Sequence, residues 1–207
     1  MKDAELLAAW HGGDRAAGEA LFERHYDGVS RFFRNKVAEP ADLVQRTFLA
    51  CLENVDRFRG DASFRTFVFA IANNVLHKHF RMRGGPRGKV DLGTVSAEDL
   101  GDSPSRVLVD GEQKQLLLRA LRRLSVEQQV LLELHYWEQL KVTELAEVLT
   151  LPVGTVKTRL RAARKRLEVL IGELASTPDL GPSTVSQLDV WARDLREHWA
   201  EHPPRTK

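Results

Sequence analysis

Pro152 constrains this chain more than any other single residue. Before it, Val142, Leu145, Ala146 and Leu149 fall at i, i+3, i+4 and i+7, one apolar stripe of a short helix. Proline is accepted in a first helical turn and poorly inside a helix, so Thr150-Leu151-Pro152 ends that stripe and a second helix starts near Pro152. Its stripe is Val156, Leu160, Ala163, Leu167 and Leu170. Its other face carries Thr155, Lys157, Thr158, Arg159, Arg161, Arg164 and Lys165, and no acid occurs from Val153 to Arg166. Two short helices, a tight turn and a second helix basic on its outer face describe a helix-turn-helix. That face suits phosphates and guanine edges in a major groove; the bland alternative is a solvated face on an ordinary helical hairpin.

No stretch alternates apolar and polar residues at strand period, and the expected fold is all-α, in two small helical domains. The 207 residues, 43% apolar, suffice for two small cores. No run is long enough to span a membrane, no start resembles a signal peptide, and the one cysteine, Cys51, fits a reducing compartment; the expected location is cytoplasmic. The net charge is only +2, but the basic excess gathers around the helix-turn-helix, and an acidic segment precedes it.

The first domain is expected over residues 1–83. A short helix ends at Gly12-Gly13, and Asp14 caps the next, whose stripe includes Leu21, Phe22, Tyr26, Val29 and Phe33. A third helix, about 40–57, turns Val44, Phe48, Cys51, Val55 and Phe58 inward and leaves Asp42, Gln45, Arg46, Leu49, Glu53 and Asp56 outside, either as plain surface or as a docking face. A break at 58–63 has Asp61 and Ser63 as candidate caps for a fourth helix, Phe64 to about Arg83. Its inner stripe is Phe64, Phe67, Val68, Ile71, Val75 and His79; Thr66, Phe69, Asn73, Asn74, His77, Lys78 and Arg81 point elsewhere, with Phe69 the best exposed aromatic. Aromatic, Asn and basic side chains near a glycine-bearing loop can hold unstacked bases. His77 and His79, at i and i+2, diverge on a helix and make a poor metal pair.

Residues 84–104, with five Gly and two Pro, read as a flexible linker of about 25 Å root-mean-square span. A second domain, 105–175, is expected to hold a helix over 105–123, a helix 125–138 opened by the capping box Ser125-Val-Glu-Gln128, and the helix-turn-helix. The extension 176–207 carries Leu188, Trp191, Leu195 and Trp199 on one narrow stripe, which should dock, either restraining one domain or completing the second core.

Taken together, these motifs resemble the extracytoplasmic-function (ECF) group of bacterial RNA polymerase sigma factors. Asp42-Leu-Val-Gln-Arg-Thr-Phe48 is similar to the family's core-binding segment, and Phe58-Arg-Gly-Asp-Ala-Ser-Phe-Arg-Thr-Phe67 with Ile71-Ala-Asn-Asn74 to its minus-ten segment. Leu124-Ser-Val-Glu-Gln-Gln-Val-Leu-Leu and Leu151-Pro-Val-Gly-Thr-Val-Lys-Thr-Arg-Leu resemble its minus-thirty-five reader. The resemblance implies that Asp42, Val44, Gln45, Thr47, Phe48 and Leu49 dock on the clamp helices of the polymerase's largest subunit. It implies that Phe58, Arg59, Gly60, Ser63, Arg65, Phe69, Asn73, Asn74, Lys78 and Arg81 capture and hold open the minus-ten strand. Thr155, Lys157, Thr158, Arg159, Arg161, Arg164 and Lys165 would read the upstream major groove, with the second domain near the polymerase flap. It also allows for an anti-sigma partner, and it implies no cofactor, no metal and no catalysis by the chain itself. Arg46 stands where the family usually has Glu, Phe67 where Trp is common, Lys78 where Asp is common, and Thr150 where Gly is usual. The rival reading is a stand-alone helix-turn-helix regulator, which leaves the first domain without a role.

Overall fold

The computed structural model describes residues 1–58, 60, 62–83, 90–101 and 111–175, with residues 190 and 193. Local signals set the helix starts. The Asp14 carboxylate accepts from the amides of Ala16 (3.0 Å) and Ala17 (3.3 Å), which separates α1 (Asp3–His11) from α2 (Arg15–Arg34). Pro40 occupies the first turn of α3 (Pro40–Asn54), which runs into a 3₁₀ turn at Val55–Arg57. Ser63 Oγ accepts from the Thr66 amide at 3.1 Å and opens α4 (Phe64–Arg83). After α5 (Glu112–Arg122), the Ser125/Gln128 capping box opens α6 (Val126–Tyr136). The helix-turn-helix is α7 (Val142–Leu149) and α8 (Val153–Leu174). The class is all-α; among the described residues the only strand-like pairing is one bridge between Ser96 and Ser125. The capping role expected of Asp61, most of the linker's ends and the Trp191/Trp199 stripe lie outside the described residues.

The helices expected to form two separate cores share one. Leu21, Phe33, Val44, Cys51, Val68 and Phe80 belong to the same buried cluster as Val130, Leu131, Leu145 and Val156. A second cluster joins Leu117 and Leu121 of α5, Leu132 of α6, and Ala163, Leu167 and Ile171 of α8. The helix that joins the two groups is α4, which packs on α2 and α3 and also against α7. This corrects the outward face read from sequence. Thr66, Phe69 and Asn73 are buried, with Phe69 only 2% exposed and its ring 6.0 Å from Phe32 of α2. One helix face was assigned to a core, whereas two are covered.

The described part of the linker, residues 90–101, is held more firmly than a glycine-rich coil. Leu92 and Ala97 are buried, and residues 91–101 form turns that lie across the start of α6. The Val95 and Leu92 carbonyls accept from the amides of Val126 and Glu127, both at 3.0 Å. First-turn amides have no partner inside their own helix, so these bonds fix the segment to α6.

Thr150 closes α7 in the left-handed conformation, φ 54° and ψ 48°, and the Leu151 amide donates to the Ala146 carbonyl at 2.9 Å. A β-branched residue is strained there by about 1–2 kcal/mol. Thr150→Gly should relieve that strain, offset in part by about 0.4–1 kcal/mol of added freedom in the unfolded chain. The expected result is a higher urea midpoint with an unchanged m-value.

Candidate nucleic-acid and polymerase interfaces

Three surfaces carry the residues singled out from sequence. On α3, Asp42, Gln45 and Leu49 are exposed and Phe48 is half-buried, its ring stacked at 9° on Tyr26 of α2. Leu49 (51% exposed) and Leu52 (47%) make an apolar strip beside them. Val44 and Thr47 do not belong to that surface. Both face the core, and the Thr47 hydroxyl donates to the Leu43 carbonyl at 2.7 Å. Arg46, the reversed charge, pairs along the helix with Asp42, Nε to Oδ1 at 3.0 Å. An exposed pair of this kind is worth a few tenths of a kcal/mol, so it is easily exchanged for another partner.

Before and along α4 the set divides. Gly60 is exposed with φ +79°, a backbone conformation that suits glycine in a sharp break. Ser63, Asn74, Lys78 and Arg81 are exposed, whereas Phe58 packs against Phe67 with ring centroids 4.7 Å apart and belongs to an aromatic cluster with Phe64. Phe69 and Asn73 are covered, and Arg65 is drawn onto Glu138. Arg59 lies outside the described residues. Asn73 Oδ1 is buried without a hydrogen-bond partner and lines a cleft of about 560 Å³ between α4, the 91–94 turn, α6 and α8.

On α8, every singled-out residue but the half-buried Thr155 is exposed. Val156, Ala163 and Leu167 point the opposite way into the cores, which is what turns the basic face outward. Arg159 pairs with Glu127 at 3.0 Å and Arg164 with Glu168 at 3.4 Å. Thr158 donates to the Gly154 carbonyl at 3.1 Å. Lys157, Arg161 and Lys165 extend from the same face.

A fourth feature escaped the sequence reading: a buried polar seam between α2 and α6. Lys36 Nζ, fully buried, donates to Glu133 and to the Phe32 carbonyl. Gln129 Nε2 donates to Glu133 Oε1 (2.9 Å) and to the Asn35 carbonyl (3.0 Å), and Arg122 Nε donates to Asn35 Oδ1 (2.9 Å). Glu138, just past α6, accepts from Arg31 and Arg65. The available signal was Glu133 itself, a carboxylate three residues after Val130 inside an apolar stripe.

Burial pulls the His25 and His77 imidazoles below their ordinary value of 6.5, outweighing the attraction of Asp3 for His25 and of Glu127 for His77. Arg65 and Arg24 oppose protonation of His25, and Arg81 that of His77. The folded chain therefore holds both rings neutral while the unfolded chain takes up protons near pH 6.5. Stability is full above that pH and is lost as pH falls through the lowered folded values. A urea midpoint lower at about pH 5.5 than at about pH 7.5, with the difference reduced in His77→Gln, is the expected result.

Among the described residues no group of His, Cys, Asp and Glu is arranged to hold a metal, and no helix is long and apolar enough to cross a membrane. Two family models match the chain: Sigma-70 region 2 over residues 21–85, and Sigma-70, region 4 over residues 114–167. Together they cover more than half of it. The "ECF RNA polymerase sigma-E factor" of Haemophilus influenzae is 25% identical over 178 residues, 81% of this chain and 94% of the relative. The sigma-E factors of Salmonella typhimurium and Escherichia coli strain K12 match at the same identity, over 93% of their length. The chain belongs to the ECF sigma factors. It is an alternative sigma factor that directs RNA polymerase to promoters, a role in which the first four helices have work that a stand-alone regulator would not give them. Two solved structures share the sigma factor's fold. One is CnrH in complex with the cytosolic domain of CnrY (22% identity, TM-score 0.62, 84% of this chain and 99% of that one). The other is RpoE in complex with the anti-sigma factor NepR from Bartonella quintana (21%, 0.58, 74% and 95%).

Proposed function

We propose that this sigma factor divides initiation among three surfaces. The exposed α3 strip, Asp42, Gln45, Phe48 and Leu49, docks on the clamp helices of core polymerase. Residues 58–63 and the exposed side of α4, with Asn74, Lys78 and Arg81, hold the minus-ten strand once the duplex opens. The α8 face, led by Lys157, Thr158, Arg161 and Lys165, enters the upstream major groove, with the second domain beside the polymerase flap. Residues 1–83 and 105–175 then act as separate domains on the promoter, the first bringing Phe69 and Asn73 into use when α7 leaves α4. The chain initiates transcription in the cytoplasm and carries no catalysis of its own. An anti-sigma protein completes the proposal, in line with the partners named for the two solved relatives.

The observation that carries this reading is the outward basic face of α8, free of acids from Val153 to Arg166 and held clear of both cores by Val156, Ala163 and Leu167. The test mixes the purified chain with core polymerase and a promoter selected by that mixture from a random DNA library. Specific initiation, lost in Leu49→Glu at the polymerase-binding step, is expected. Duplex binding by the chain with no polymerase association would overturn the proposal.

A further inference from the structure

The two arginines that meet at Glu138 come from different helices of the first group. Arg31 on α2 places Nε 3.0 Å from Glu138 Oε1 and Nη2 3.2 Å from Oε2, a two-point fork. Arg65 on α4 reaches Oε2 with Nη2 at 3.2 Å and also donates to the Glu138 carbonyl. Its guanidinium lies 5.8 Å from the Phe69 ring. Gly28 leaves the space: a Cβ there would stand 3.1 Å from Glu138 Oε2. Glu138 is 3% exposed. This is a built anion site, walled by α2 and α4, with its occupant supplied by the far half of the chain.

Two guanidiniums that converge repel each other unless an anion sits between them. Planar guanidinium forks match phosphate as well as carboxylate. When the halves separate, as the proposed function requires, Glu138 leaves with α6 and the arginines remain. Arg65 stands on α4, the helix that carries Asn74, Lys78 and Arg81, and Arg31 faces it from α2.

We propose that Arg31 and Arg65 form a phosphate clamp for the backbone of the promoter strand, and that Glu138 fills this clamp in the closed chain as an intramolecular competitor. This rests on the sigma-factor reading and adds to it a residue, Arg31, outside the three surfaces to which that reading assigns a role. Closure of the halves and capture of the strand then exclude each other by sharing one site. The free chain binds single strands weakly because only its open fraction is competent.

The test uses the full chain alone and a fluorescent single-stranded oligonucleotide of mixed sequence, with affinity followed against salt. Glu138→Gln keeps the size and removes the competing charge; it should tighten binding about tenfold or more, with faster amide exchange in α4 and α7 reporting the opening. Arg31→Gln in that background should reverse the gain and lower the salt slope by about 0.7, the single-strand value for one phosphate. Arg31→Lys, which keeps the charge without the fork, should retain the slope and separates phosphate binding from a packing defect. Unchanged affinity in Glu138→Gln, or a slope indifferent to Arg31→Gln, overturns the proposal. Failure of the polymerase assay would instead overturn the sigma-factor mechanism, since the oligonucleotide measurement involves no polymerase.

Discussion

Glu133→Ala should weaken the closed arrangement by about 3–5 kcal/mol, because it strands a buried ammonium. Lys36 is fully buried, donates to Glu133 and the Phe32 carbonyl, and sits 4.3 Å from the Phe32 ring centroid. Burial lowers its pKa from the usual 10.5 even with Glu133 and Glu138 pulling the other way. Taking both charges out of water offsets most of their attraction, so an intact buried pair of this kind adds little net stability. Removing one partner is different, since the whole desolvation cost of the other remains. Gln129 and Asn35, which also donate to Glu133, lose an acceptor in the same step. The measurement is a urea titration combined with hydrogen exchange across α4 and α7. Lys36→Met with Glu133→Leu should recover most of the loss, short of the part owed to Gln129 and Asn35. A Glu133→Ala chain with the wild-type midpoint and wild-type protection would show that the seam does not hold the halves together.

Most helix starts were legible because the residues that stop and cap helices act locally. Asp14, Pro40, Ser63, Ser125 and Pro152 each do their work within a turn of their own position. The inward stripes of α3 and α8 were legible for a related reason, since each helix has one polar side and periodicity then identifies the other. Periodicity failed on α4, where Phe64, Val68, Phe69, Ala72, Leu76 and Phe80 are buried around more than one face. Such a helix announces that it is covered but not by what, and α7, its cover, lies more than sixty residues on. Residues 90–101 of the linker misled because the segment's glycines outweighed Leu92 and Ala97, whose burial fixes the turns onto α6. Composition describes average chain stiffness, while two well-placed apolar side chains decide whether a particular segment is held.

The candidate site shows the same division. The basic face of α8 was readable as charge at helical spacing. The seam was not, because each acid in it finds its partner about a hundred residues away: Lys36 with Glu133, Arg31 with Glu138. Sequence shows that such charges exist, and only the fold shows that they cancel. Arg46 is the converse case. Its sign looked disruptive, but Asp42 one turn earlier takes it up, so the exposed α3 strip keeps a near-neutral centre between Leu49 and Gln45.

The largest expected effect on DNA binding is its salt dependence. If Lys157, Arg159, Arg161, Arg164 and Lys165 all release counterions, α8 contributes a slope of about −4.5, and its share of affinity falls about 500-fold between 50 and 200 mM salt. Arg159 and Arg164 reach this state by giving up Glu127 and Glu168, both half-exposed partners whose loss costs well under 1 kcal/mol. Comparing holoenzymes that differ only in α8 holds the polymerase contribution fixed. Lys157→Gln and Lys165→Gln should each reduce the slope by about 0.9 and weaken all promoter sequences alike. Arg161→Ala should cost about 1–3 kcal/mol and relax preference at one upstream position, as for a fork on a guanine edge. A uniform loss in Arg161→Ala, with a slope change of about 0.9, would place Arg161 on the backbone instead. The distinction matters because the chain carries a net charge of only +2. On the proposed reading, with so little overall attraction, α8 contributes selectivity at the upstream element through a few base-edge contacts, and the polymerase that brings α8 to the groove supplies much of the affinity.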